Sequence, residues 1–334
     1  RSLIRRPGGV LRAVLESQRM AVGGLGDRVR HLAYAIEAMR LVELLRADGV
    51  RHVHVHMANN GAAVAMLACQ VDRSLEYSLT IHGSAEFFDV HRVQLALKAE
   101  RAVFVRCISE FCRAQVMIWT DPGAWSKFRV IRTGLDPGAF GEASLGTDDS
   151  GELRVLAIGR LHAIKGYLLL LEAVAEVAKS GVSISLDLVG DGPQRRAIER
   201  RVTELGISDR VRMHGARPVE EIPGFVSRAG LLVVSSFMEG VPTVLMEAMA
   251  AGCLVLSTRV GGVAELVNDQ EVSRTGFLVD AGSVEALADG LRAVAATSAE
   301  ERREIRRRAR EAVLERYDIR RNGAAVADLL RGRG

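Results

Sequence analysis

Two α/β domains, each built on a parallel sheet, are what this sequence predicts. Three observations lead there. Short β-branched runs alternate with amphipathic stretches along most of the chain, as strands joined by crossover helices do. The length, 334 residues, suits two domains of ordinary size. A stretch over 134–150, with Pro137, several glycines and Asp148-Asp149, interrupts the alternation and reads as a linker.

Before that linker, strands are expected over 51–57, 77–81, 102–106 and 128–131, with helices over 61–69, 90–98 and 110–119. After it, strand 154–158 leads to helix 165–179, and strand 183–189 leads through Gly190-Asp191-Gly192-Pro193 to helix 194–205. Strand 211–214, helix 219–227, strand 231–235, helix 242–251 and strands 253–257 and 276–279 follow. Helices 284–296, 299–316 and 320–331 end the chain. The expected domains are 1–145 and 151–334, the last helix returning towards the first domain. No strand-like run precedes Arg51 and the first residue is not Met, so the first domain is expected to be incomplete, lacking its initial strand.

Apolar residues make up 48% of the chain, enough for sizeable cores. No apolar run nears the ~18–20 residues of a membrane-spanning helix, and no secretory signal is visible. Cys69, Cys107, Cys112 and Cys253 form no CxxC pair and read as reduced thiols of a cytoplasmic protein. Arg1, Arg5, Arg6, Arg12, Arg19, Arg28 and Arg30 crowd the start, interleaved with Leu3, Ile4, Val10, Leu11, Val14 and Leu15. That pattern suits peripheral attachment to an anionic membrane, and equally a solvated helix face. Few aromatics stand beside the basic residues, so nucleic acid is not an expected partner.

Ligands of parallel sheets bind at the carboxyl ends of strands, so the loops there carry the function. The loop Gly159-Arg160-Leu161-His162-Ala163-Ile164-Lys165-Gly166 puts Arg160 and Lys165 between a strand end and a helix start. Cations are unfavourable at the positive end of a helix, and a bound anion removes the conflict. Two of them suggest a diphosphate. The loop from Phe237 to Gly252 is stronger. Gly240 lets a ligand approach the backbone, Pro242 suits a first helical position, and the amides around it, of Val241 and Thr243, suit a phosphate. Glu239 precedes the helix and Glu247 lies in its second turn among apolar neighbours. Each carboxylate suits a pair of sugar hydroxyls.

At these residues the chain resembles the retaining family-4 glycosyltransferases of GT-B fold, of the bacterial surface-polysaccharide type. The spacing of Glu239 and Glu247 matches that family's paired glutamates. Gly159-Arg160 with Lys165-Gly166, Gly190-Asp191-Gly192-Pro193, and Val260-Gly261-Gly262 with Glu265 fall in the family's order. Together these motifs are specific; the Gly-Asp-Gly-Pro turn alone is weak. The resemblance covers nearly the whole second half and, more loosely, the first half from about His52. It implies two Rossmann-like domains facing across a cleft. It also implies Arg160 and Lys165 on the donor diphosphate, Glu247 on the ribose, Glu239 on the transferred sugar, and the loop 215–219 near the base. His82 is the candidate for the family's histidine beside the donor sugar. Gly83, Ser84 and Ala85 separate it from Glu86, which receives no role. Ser109-Glu110 and Gly134-Leu135-Asp136 read as structural landmarks.

His52, His54 and His56 share one strand face, but no fourth ligand for a metal is evident. No metal and no cofactor are expected; the nucleotide sugar is the substrate, and a glycan or lipid-linked molecule the acceptor. A nucleotide-sugar epimerase of the same fold would need acid/base carboxylates that cannot be placed. A nucleotide-sugar binder without turnover stays open. An NAD oxidoreductase is disfavoured, because no strand-linked GxGxxG exists.

Overall fold

The structure, a computed structural model, describes residues 6–139 and 151–332. The chain divides into two units, one of residues up to Arg132 together with those from Ala325 on, the other Thr133–Ala324. Of the expected linker, residues 140–150 lie outside the described residues, and the expected boundary between 145 and 151 lies there with them. Arg1, Leu3, Ile4 and Arg5 are outside them too.

In the first unit, strands β1 (His52–His56), β2 (Glu76–Ile81), β3 (Val105–Cys107) and β4 (Phe128–Val130) form a parallel sheet in sequential order. Helices α1 (Pro7–Met20) and α2 (Leu25–Ala47) precede it, so the described residues before β1 are helical and hold no strand. Helices α3 (Asn60–Val71), α4 (Leu95–Arg101) and α5 (Glu110–Trp119) are the crossovers. Ser109 starts α5 by accepting from the Cys112 amide at 3.1 Å, the structural role its position suggested.

Helix α2 has no single apolar face, which is why periodicity did not find it. Tyr34, Ala35, Ala38 and Val42 are buried, while Leu25, Val29, Leu32 and Ile36 lie exposed on another side. Helix α4 starts later than expected because Gln94 takes a left-handed conformation, φ +53°, and ends the turn before it. Asp72 ties the helices together: Arg6 and Arg46 both bind its carboxylate. Burial alone would raise that carboxyl; bonds from Arg46, Ser74 and Arg6 hold it below its usual value instead.

These contacts turn part of the expected membrane face inward. Val10 is buried, Arg6 is spent on Asp72, and Arg12 donates to the Gln70 carbonyl at 3.2 Å. Leu11 and Leu15 remain exposed.

The second unit is a six-stranded parallel sheet of β5 (Leu153–Ile158), β6 (Ile184–Val189), β7 (Val211–Gly215), β8 (Leu231–Val234), β9 (Leu254–Thr258) and β10 (Phe277–Val279). Its order is β10-β9-β8-β5-β6-β7. Around it run α6 (Tyr167–Lys179), α7 (Arg195–Glu204), α8 (Ile222–Arg228), α9 (Thr243–Ala250), α10 (Val263–Leu266), α11 (Val284–Ala296), α12 (Ala299–Arg316) and α13 (Ile319–Leu330), whose last residues fall in the first unit. Strands such as β8 are buried on every side chain and read as continuous apolar runs, as strands covered on both faces do. Helix α6 buries Tyr167, Leu170, Leu171, Val174 and Val177, one helical stripe, against that sheet.

Candidate active site

Ligands gather where the order of a parallel sheet reverses. In the second unit that point lies between β5 and β8, which pair through Val155 with Leu231 and Leu156 with Leu232. The loops leaving these two strands carry most of the expected donor residues. Lys165 Nζ donates to Glu239 Oε1 at 2.6 Å, and Ser236 Oγ donates to the same oxygen at 2.6 Å. Glu239 is only 7% exposed, and its Oε2 has no protein partner among the described residues.

Backbone bonds fix the pair. The Phe237 amide donates to the Ile164 carbonyl at 2.8 Å, and Ser235 Oγ to the Lys165 carbonyl at 2.9 Å. Thr258 Oγ1 holds the Ser236 carbonyl at 2.6 Å. Gly166, φ +65°, separates Lys165 from α6; a Cβ there would sit 2.1 Å from the Ser235 carbonyl oxygen. Lys165 therefore ends a short 3-10 turn rather than opening the helix, a correction to the expected start at 165. Arg160 is exposed and its guanidinium makes no bond among the described residues.

Helix α9 begins at Thr243, with Pro242 as its extended cap and no acidic residue in its first turn. The Gly240 carbonyl accepts from the Gly262 amide at 2.8 Å, bringing the glycine pair after β9 against the loop that carries Glu239, Gly240 and Val241. Glu247 is half-buried beside a cavity of about 110 Å³ lined by Val219, Ile222, Pro223, Val226 and Ala251. Its carboxylate has no hydrogen bond or ion pair among the described residues, and burial holds its carboxyl above the usual value. One glutamate is thus tied to a lysine; the other is unpaired against apolar walls.

In the first unit, His82 follows directly on β2 and its Nε2 lies 2.9 Å from His56 Nδ1. Burial, then His56 and Arg106, lower the His82 value. The histidine row is braided into hydroxyls: Ser78 Oγ lies 2.7 Å from His52 and from His54, and Thr80 Oγ1 2.7 Å from His54. Burial, then His56 and Arg106, push His54 down to about 4. No three or more His, Cys, Asp or Glu side chains are placed to hold a metal ion among the described residues.

Glu86, which the sequence left without a role, holds the loops after β1 and β2. Its Oε1 accepts from the Ala58 amide at 2.6 Å, and its Oε2 from the His82 and Gly83 amides at 2.7 and 3.1 Å. Lys98, only 3% exposed, grips the other side of the first loop, donating to the Ala58 and Asn59 carbonyls at 3.0 and 2.9 Å. Burial pushes Lys98 down to about 8, against the pull of Glu86. An acidic residue close behind a strand-end histidine was the available signal, but counting residues could not show that a 3-10 turn brings Glu86 back onto the His82 amide. In Glu86→Gln an NH₂ replaces one acceptor and faces an amide donor. The expected cost is about 1–3 kcal/mol, read by thermal melting, with the His82 ring signals displaced. Unchanged melting and ring signals would contradict this account.

Comparison with known proteins adds the family. The family model described as glycosyl transferases group 1 matches residues 146–312, half of the chain. WcaL of Escherichia coli K12, named as a colanic acid biosynthesis glycosyltransferase, is 31% identical over 193 residues, 56% of this chain and 47% of WcaL. The 2-deoxystreptamine glucosyltransferase of Streptomyces kanamyceticus is 29% identical over 284 residues, 77% of this chain and 72% of that protein. The chain spans about half the length of WcaL and of its Salmonella typhimurium counterpart. Anabaena HepE, solved with UDP-glucose, superposes with a TM-score of 0.76 at 22% identity, covering 88% of this chain and 82% of HepE. Sucrose-phosphate synthase from Thermosynechococcus elongatus gives 0.73 at 25% identity, covering 88% and 77%. The fold is that of the GT-B structures, with two parallel-sheet units.

Proposed function

The chain belongs to the group 1 glycosyl transferases, and from that membership we propose that it moves a sugar from a nucleoside-diphosphate sugar to a glycan or lipid-linked acceptor. The observation that carries the reading is the switch point of the second unit, where paired Lys165 and Glu239 stand beside unpaired Arg160. Glu247 suits the ribose hydroxyls, and the apolar cavity beside it the base. Arg160, Lys165 and the α9 amides at Thr243 would hold the diphosphate, and Glu239 Oε2 is left to accept from the sugar.

In the proposed family-4 course, the acceptor oxygen bonds to the anomeric carbon as the bond to the phosphate oxygen breaks. The departing phosphate takes the acceptor's proton, and the configuration is retained. The fixed cations and amides stabilise the leaving charge. His82 is proposed as the catalytic histidine beside the donor sugar, the role that the resemblance implies. Incubation with nucleotide sugars and a glycan acceptor should release nucleoside diphosphate and give a product whose anomeric proton coupling matches the donor's. Inversion would overturn the stereochemistry, and absence of release with every donor the reaction itself.

Donor binding is proposed to need no metal, since two cations and a helix N-terminus already supply positive charge. Nucleoside-diphosphate affinity should be the same in EDTA and in Mg²⁺. Loss in EDTA with recovery on adding Mg²⁺ or Mn²⁺ would contradict this.

Peripheral membrane contact is proposed through residues 1–30 and the exposed apolar side chains that follow: Leu11 and Leu15 of α1 and Leu25, Val29, Leu32 and Ile36 of α2, with the arginines Arg19 and Arg28 of the same helices. No helix among the described residues is long and apolar enough to cross a membrane. Vesicles of anionic lipid should sediment the protein, and Val29→Ser with Ile36→Ser should abolish it; sedimentation unchanged by these substitutions would sink the idea.

A further inference from the structure

The first unit contains a polar cavity of about 250 Å³, room for roughly eight waters. Arg30, His31 and Tyr34 of α2, Asn59 and Asn60 at the start of α3, and Arg92 and Lys98 lie on its wall, with Asp89 as the acidic residue. Cations thus outnumber carboxylates there. Arg30 is paired with Asp27, and Lys98 is spread over two carbonyls, but the Arg92 guanidinium has no partner among the described residues. Helix α3 points its amino end here, with no acidic residue in its first turn.

Two largely buried side chains on this wall each leave one polar atom without a protein partner. His31, 5% exposed, uses Nδ1 on the Asp27 carbonyl at 2.9 Å, which leaves Nε2 unbonded. Tyr34, 8% exposed, packs edge-on against the His31 ring at 5.3 Å, and its hydroxyl has no hydrogen bond among the described residues. Both atoms keep contact with solvent in the cavity, so water or a ligand held there is what answers them.

We propose that this cavity binds a phosphate monoester: the phosphate of a phosphorylated acceptor, or that of a lipid headgroup. A phosphate carries acceptor oxygens for Arg92, the Tyr34 hydroxyl and the α3 amides. It also carries an exchangeable proton, so it satisfies His31 Nε2 in either protonation state. The volume leaves space beyond the phosphate for the group that bears it. The assignment rests on the transferase reading for its place on the acceptor side, but its test does not need turnover.

The test follows the His31 ring signals of the full chain by NMR, with nucleoside diphosphate saturating the second unit. Inorganic phosphate should move them. Arg92→Gln should weaken that binding about tenfold, and Tyr34→Phe, which removes one hydroxyl, about two- to tenfold. Glycerol 3-phosphate acting as well as phosphate identifies a soluble ester as the source. Vesicles containing phosphatidic acid acting where glycerol phosphate does not identify a headgroup. The inference is overturned if none of these probes moves His31, or if both variants bind phosphate as the wild type does. A chain that binds phosphate here yet transfers no sugar would overturn the transferase reading and leave the site standing.

Discussion

Glu247→Ala will bind free nucleoside diphosphate roughly ten- to a hundredfold more weakly, the worth of hydrogen bonds to a charged group, while melting no lower than the wild type. The carboxylate has no internal partner to lose. Burial also holds its proton more tightly in the folded chain than in the unfolded one, so the unfolded chain releases it at lower pH. Ionised Glu247 is therefore a cost to the fold that grows as pH rises from the usual carboxylate range through the raised value. Removing it relieves that cost, so a functional group here works against stability.

Glu239→Ala should behave in the opposite way. It strips Lys165 and Ser236 of their shared acceptor, so the second unit should melt lower. Turnover should collapse, because the bonds to the departing sugar strengthen as positive charge develops on the ring. Free nucleoside-diphosphate affinity should be kept or tightened, since Lys165 no longer divides itself between a carboxylate and the diphosphate. Titration calorimetry beside melting curves decides it. Equal losses of affinity in both variants would show that the glutamates do not divide the work this way.

The sequence makes the second unit legible almost element by element, because strands such as β8 and β9 are apolar runs and helices such as α6 carry one apolar stripe. Helices α11 and α12 begin and end at the expected residues, helped by Ser283 and Ser298, which cap them. The first unit is less legible. Two apolar sides hide α2, and a left-handed Gln94 shortens α4, a backbone choice that composition does not announce. Strand β3 has three residues, too few for alternation to mark its start.

The same contrast runs through the candidate site. Spacing brought out the paired glutamates and the two basic positions, because Arg160, Lys165 and Glu239 fall in loops that follow strands and Glu247 in the helix that one of those loops opens. It could not show that Lys165 and Glu239, far apart in the chain, would form one ion pair while Arg160 and Glu247 stayed unpaired. That outcome depends on which strands neighbour one another, and β5 beside β8 is a property of sheet order. The roles of Glu86 and Lys98 escaped for a related reason: their partners are backbone amides and carbonyls, which have no sequence signature.

Gly261→Ala should destabilise the second unit by about 2–4 kcal/mol, the sum of overpacking and a left-handed backbone. Gly261 has φ +53°, and a Cβ there would lie 1.8 Å from the carbonyl oxygen of Glu239. Backbone cannot yield as a flexible side chain does, so the loop that carries Glu239 and Gly240 would have to move. The neighbouring bond from the Gly262 amide to the Gly240 carbonyl would move with it. Gly206→Ala separates the two causes. Gly206 has φ +66° but nothing within 4 Å of its Cβ position, so it reads backbone strain alone, about 1 kcal/mol. The difference between the two melting curves measures the clash. Nucleoside-diphosphate binding, measured below the melting temperature of both variants, should be lost in Gly261→Ala and intact in Gly206→Ala. Melting of Gly261→Ala alongside Gly206→Ala would mean that the loop gives way freely, and that close packing against Gly261 does not hold Glu239 in place.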